Sequence, residues 1–189
     1  MKDNITAFSA VVVMLATTGV AYASDGTITF TGSVVASTCK VNGGNGDLTV
    51  ALPQVATNQL ANTGQTAGRT PFTLSLSGCT SPVDKDGNPI ANVPTKVAVV
   101  FEPGPNVNLT TGRLKPTGSG AAANVEVGIQ TDGYKDIMIG ADAANQGTQV
   151  ATIGKDGNAT LQYAAQYYAT GVSTAGPITT SVTYSVIYP

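Results

Sequence analysis

Residues 24–35 read Ser-Asp-Gly-Thr-Ile-Thr-Phe-Thr-Gly-Ser-Val-Val, an alternation in which Gly26, Ile28, Phe30, Gly32 and Val34 share one face and mostly polar residues share the other. Period two over a dozen residues marks an extended strand with one face to bury. The placement is unusual, because chain ends fray unless something ties them down. An ordinary first strand packed into its own sandwich is one reading; a strand destined for a partner is the other.

What precedes this stretch sets its compartment. Lys2 is followed by the apolar run at residues 7–16 and then by Ala21-Tyr22-Ala23, a small-x-small cleavage pattern. Residues 1–23 therefore read as a secretory signal cut before Ser24. The run is about half of the roughly 20 residues a spanning helix needs, so no membrane insertion of the mature chain is expected. Export in turn makes the two cysteines interpretable. An oxidising compartment and an even count favour a Cys39–Cys79 disulfide, which by loop-closure entropy contributes about 4 kcal/mol.

Downstream the same alternation recurs in blocks: Leu48, Val50, Leu52; Phe72, Leu74, Leu76; Val97, Val99, Phe101; Val125, Val127, Ile129; Leu161, Tyr163, Ala165, Tyr167; and Val182, Tyr184, Val186, Tyr188. Turn-rich spacers such as Asn42–Asp47, Asp84–Pro89 and Asp156–Asn158 separate them. Many short strands with turns between them predict an all-β sandwich in one domain. Short helical turns are expected only at Val55–Asn62 and Asp142–Gln146. The final block runs into Tyr188-Pro189 without a polar tail, so the sandwich is expected to leave an unpaired edge, which is a template for another strand.

Composition narrows the function. The 189 residues are 42% hydrophobic and 11% charged, with 22 Gly, 10 Pro and no His. Without His there is no Ser-His or Cys-His nucleophile pair and no His-containing zinc site, and no catalytic residue is assigned. Nine basic residues scattered against eleven acidic ones give a net charge of −2, which disfavours nucleic acid. Asp84, Asp86 and Asn88 have calcium-loop spacing without a closing carboxylate and read as a turn; no metal or cofactor is expected. The Asn108-Leu109-Thr110 and Asn158-Ala159-Thr160 sequons carry no host information.

Taken in order, the signal segment, the alternating stretch leading to Cys39, the second Cys after Gly68-Arg69-Thr70-Pro71-Phe72, the Gln166-Tyr167-Tyr168-Ala169-Thr170 stretch and the penultimate Tyr188 resemble a major fimbrial subunit of the chaperone-usher, type 1-like class. The resemblance spans the whole mature chain. It implies an incomplete immunoglobulin-like β-sandwich of six own strands, the seventh being supplied by donor-strand complementation. It further implies a structural subunit that polymerises into surface fimbriae and supports cell adhesion. The partners implied are a periplasmic chaperone, an outer-membrane usher, identical subunits in the fibre, and a tip adhesin where the fibre has one.

On this reading residues 24–35 are the donor extension and 36–189 the pilin domain. Gly26 matches the small donor residue of the family, while Val182, Tyr184, Val186 and Tyr188 line the acceptor groove. Pro189 presents its carboxylate to the chaperone. Two features depart from the family pattern: Pro follows the usual penultimate Tyr, and only two residues precede Gly26. The alternatives are a minor or tip subunit with a ligand-binding role, or a self-contained secreted β-sandwich binding module.

Overall fold

The computed structural model describes residues 28–32, 34–35 and 39–189. The chain divides into a unit at residues 1–33 and a unit at residues 34–189. Residues 28–32 and 34–35 carry no regular secondary structure. In the second unit nine strands follow one another: β1 (Lys40–Val41), β2 (Thr66–Ser77), β3 (Lys96–Phe101), β4 (Val107–Asn108), β5 (Arg113–Leu114), β6 (Val125–Thr131), β7 (Val150–Thr152), β8 (Ala159–Ala169) and β9 (Tyr184–Ile187). They form a six-stranded sheet, β1-β2-β8-β6-β5-β4, and a three-stranded sheet, β7-β3-β9, with every pair antiparallel.

The core lies where the alternating blocks meet. Leu74 and Leu76 of β2, Val97, Val99 and Phe101 of β3, Val125, Val127 and Ile129 of β6, and Leu161, Tyr163, Ala165 and Tyr167 of β8 are all buried in one cluster. Their spacing of two is what puts them on the inner face. Tyr163 stacks edge-on against Phe101 from the opposite sheet, with centroids 5.4 Å apart, and places its hydroxyl 3.1 Å from Thr148 Oγ1. A large buried ring thus keeps its polar end satisfied.

Six strands have three residues or more, namely β2, β3, β6, β7, β8 and β9; the other three are two-residue pairings. Three expectations need correction. The Leu48–Leu52 block forms no strand, and β9 is shorter than the Val182–Tyr188 alternation. Asp142–Gln146 is a hydrogen-bonded turn, whereas Thr57–Leu60 is the expected helical turn, of 3-10 type. β4, β5 and β7 lie in stretches without alternation, being too short to show a period.

The Cys39–Cys79 disulfide is formed, with Cα atoms 4.0 Å apart. Beside it, β1 pairs with the end of β2 through Lys40↔Ser77 and Val41↔Leu76. The bridge and the pairing together fix the start of the domain to the longest strand. Where β2 bulges between Ala67 and Thr70, Gly68 has φ +66°, and a Cβ there would lie 2.9 Å from the Tyr167 ring. Only glycine meets both demands.

Candidate functional site: an open sheet edge

β3 has a strand on each side, but β9 has one on its inner side alone, in the register Phe101↔Tyr184, Val99↔Val186 and Ala98↔Ile187. Among the described residues no strand pairs with the outer edge of β9. The consequence appears in the side chains. Val182, Tyr184, Val186 and Tyr188 pack against the core yet are only half-buried, whereas the equivalent positions of β8 are closed off completely. Burial raises the pKa of the Tyr184 and Tyr188 phenols, with Asp47 adding to the effect on Tyr184, so both stay neutral at physiological pH.

Leu52, Val55 and Ile178 are likewise packed on the core and half-buried. The Tyr184 hydroxyl donates to the Gly46 carbonyl, tying β9 to the start of the residue 47–56 segment. Nearby a cavity of about 580 Å³ is lined by Leu52, Val55, Leu60, Val125, Tyr167 and Ile178 among others. The lining of that cavity includes no β9 residue, so what β9 itself offers is an open backbone edge flanked by half-buried apolar side chains. It is suited to an extended segment that brings both main-chain hydrogen bonds and alternating apolar side chains.

The four β9-block residues named from sequence therefore fall on one face, and Pro189 is exposed at the end of the chain. Ile28, Phe30 and Val34 are 80%, 89% and 104% exposed, and Gly32 has no neighbour where a Cβ would sit. Gly26 and the proposed cleavage site lie outside the described residues. The sequence marks Leu52 only as a strand residue and gives Val55, Leu60, Tyr167 and Ile178 no link to one another. They reach the cavity from separate segments, and the only local hint was the apolar spacing at residues 48–52. In the Asp84 loop the carboxylate accepts the Asp86 and Asn88 amides, both at 2.9 Å, and these bonds lower its pKa. That is an Asx turn.

Residues 52–189 match the family model described as type-1 fimbrial protein, A. The chain belongs to the type-1 fimbrial protein family. It is 44% identical over 167 residues to the F17 fimbrial protein of Escherichia coli, an alignment covering 88% of each chain. It is 42% identical over 173 residues to the major fimbrial subunit SMF-1 of Stenotrophomonas maltophilia, covering 89% of this chain and 95% of that one. The P pilus rod subunit PapA superposes with a TM-score of 0.58 at 20% identity over 80% of this chain and 99% of its own. That likeness identifies the fold as the immunoglobulin-like one of pilin subunits. The type-1 family is one of structural fimbrial proteins, and this member is a structural subunit of a cell-surface fimbria.

Proposed function

We propose that this pilin polymerises by donor-strand exchange, with residues 24–35 of one copy pairing along the open edge of β9 of the next. The observation that carries this reading is the unpaired outer edge of β9 together with its half-buried inward side chains. An antiparallel sandwich ordinarily closes or protects such an edge. Ile28, Phe30 and Val34 share one parity, so a strand presenting them downwards would fill an apolar groove while its backbone pairs with β9. Each large side chain so buried contributes roughly 1.5–3 kcal/mol, enough in sum to hold subunits together without a covalent link.

Before assembly the same edge needs a temporary cover. A periplasmic chaperone strand fills that role in this proposal, with the Pro189 carboxylate as its anchor, and an outer-membrane usher hosts the exchange. Residues 1–23 act as the export signal and 36–189 as the pilin domain.

The test is deletion of residues 24–35 in a strain expressing the chaperone and usher. The deleted subunit is expected to accumulate as a chaperone complex and to form no fibres of its own. Normal fibres from the deletion would refute donor-strand exchange through this segment.

A further inference from the structure

The outer face of the large sheet carries a second organised surface, unrelated to the β9 edge. On β6 and β8 the residues between the core positions are Glu126, Gln130 and Gln166, whose polar character would suit solvent, yet they are only 6%, 5% and 3% exposed. Each is hydrogen-bonded to a side chain from another part of the chain. Glu126 accepts from Asn108 Nδ2 at 2.6 Å and from Thr111 Oγ1 at 2.9 Å. Gln130 Nε2 donates to Asp136 Oδ1 at 2.8 Å, and the other Asp136 oxygen lies 3.5 Å from Arg113, whose guanidinium stacks 3.4 Å from the Tyr168 ring centroid. Gln130 Oε1 is buried without a partner.

Arg69 holds the third of these residues. Its Nε donates to Gln166 Oε1 at 3.1 Å, and its guanidinium carbon lies 4.4 Å from the centre of the Tyr134 ring. A buried amide and an aromatic face therefore hold the side chain, while the residue itself stays exposed. Among the described residues no carboxylate lies within ion-pair distance of it. Arg113, by contrast, has its acid.

Tyr134 is equally unusual. It occupies the left-handed region at φ +60°, in a turn closed by its own N–H to the Thr131 carbonyl at 2.9 Å and by Thr131 N–H to the Lys135 carbonyl at 3.0 Å. Glycine or asparagine is the expected occupant of such a position, and Gly133 sits one place too early. A tyrosine held there is 59% exposed, so most of the ring surface not under Arg69 is open. Strained backbone beneath an exposed aromatic, beside a positioned cation lacking a counter-charge, is a pattern of recognition rather than of packing.

We propose that Arg69 and Tyr134 form a binding site for a carboxylate-bearing saccharide. The free edge of the guanidinium takes the carboxylate as a bidentate pair, and the open ring face takes the apolar face of the sugar. Neither the cavity beside Leu60 nor the one at the Asp84–Gly87 loop includes Arg69 or Tyr134. The largely exposed Tyr134 ring beside the guanidinium gives the apolar face of a saccharide a surface to stack on. Lys135 reinforces the positive charge, Asp132 opposes it, and Asp136 is already matched by Arg113.

The test uses intact fimbriae built from this subunit, with retention measured on immobilised glucuronate-containing oligosaccharide, sialyl-lactose, neutral lactose and an oligo-glutamate peptide. Binding of one or both acidic sugars above lactose and above the peptide is expected. Arg69→Lys should lower retention about tenfold per site, because it keeps the charge but removes the planar fork. Tyr134→Gly should also lower it while relieving the backbone, so assembly is preserved and a folding defect cannot account for the loss. Equal retention of lactose, stronger retention of oligo-glutamate, or acidic-sugar binding unchanged in both variants would each overturn the proposal; the second result would mark the face as a protein contact.

Discussion

β8 and β9 are both alternating strands of this sandwich, yet they represent its two extremes. β8 has a neighbour on each side, and its inward residues Leu161 and Tyr163 are 0% and 2% exposed. β9 has one neighbour among the described residues, and its inward residues stop at half-burial. The two sequences are similar in character, so the contrast arises from topology. A strand's alternation states how much surface it wants buried; the sheet order decides whether the same chain can bury it. Where it cannot, the deficit becomes an affinity for another strand.

The sharpest perturbation applies to the fixed end of the structure. Replacing Cys39 and Cys79 together with Ser should lower subunit stability by about 4 kcal/mol, read as loss of periplasmic subunit and a lower denaturant midpoint. Unchanged abundance and midpoint would show that β1 and β2 hold the domain start unaided. Next, Leu161→Ala in β8 should cost about 3 kcal/mol whether or not the subunit is assembled. Phe30→Ala should cost about 3 kcal/mol per contact in the fibre while leaving the chaperone-bound subunit at its normal level. Equal losses in both states would place Phe30 in its own domain's core and erase the distinction.

Val186→Ala should cost about 1 kcal/mol before assembly and more after it, since the site is half-buried until a strand covers it. Differential unfolding of chaperone-bound and fibre forms would show the gap. The smallest effects concern pH. Burial raises the pKa of Tyr163, and of Tyr167, Tyr184 and Tyr188, above the ordinary value. Their contribution is complete below about pH 10, the unfolded value, and is lost as pH rises through the higher folded values. Asp84 and Asp156 are shifted the other way by hydrogen bonds, chiefly from Asn88 and Asn158, so their small contribution disappears as pH falls below the ordinary carboxylate range. With no histidine, denaturant midpoints should stay flat from about pH 5 to 9. A step near pH 6.5 would contradict this.

Much of the sandwich was legible because β2, β3, β6 and β8 turn apolar residues to the core at every second position, a period that persists in sequence although β3 and β6 are buried on both faces. The open edge was legible in kind, since Val182 to Tyr188 alternates up to the last residues. The apolar lining of the cavity was harder to see. Leu52, Val55 and Ile178 come from segments with no ladder partner, so no register connects them in sequence. The outer face was not legible at all. Glu126, Gln130 and Gln166 occupy positions that alternation assigns to water, and they are buried because the β4–β5 hairpin and the residue 131–137 turn contribute contacts from elsewhere in the chain. Polar residues at outward positions look the same whether covered or not.

The bridge at Cys39 also has a mechanical meaning. In a fibre joined through residues 24–35, tension enters each subunit just ahead of Cys39 and passes through the covalent link to Cys79, at the end of β2. The link bypasses residues 40–78, so such a pull cannot draw that stretch out of the domain while the bridge is intact; the β1–β2 pairing and the segment around Leu52 lie within it. The disulfide thus limits how much chain tension can extract from each subunit.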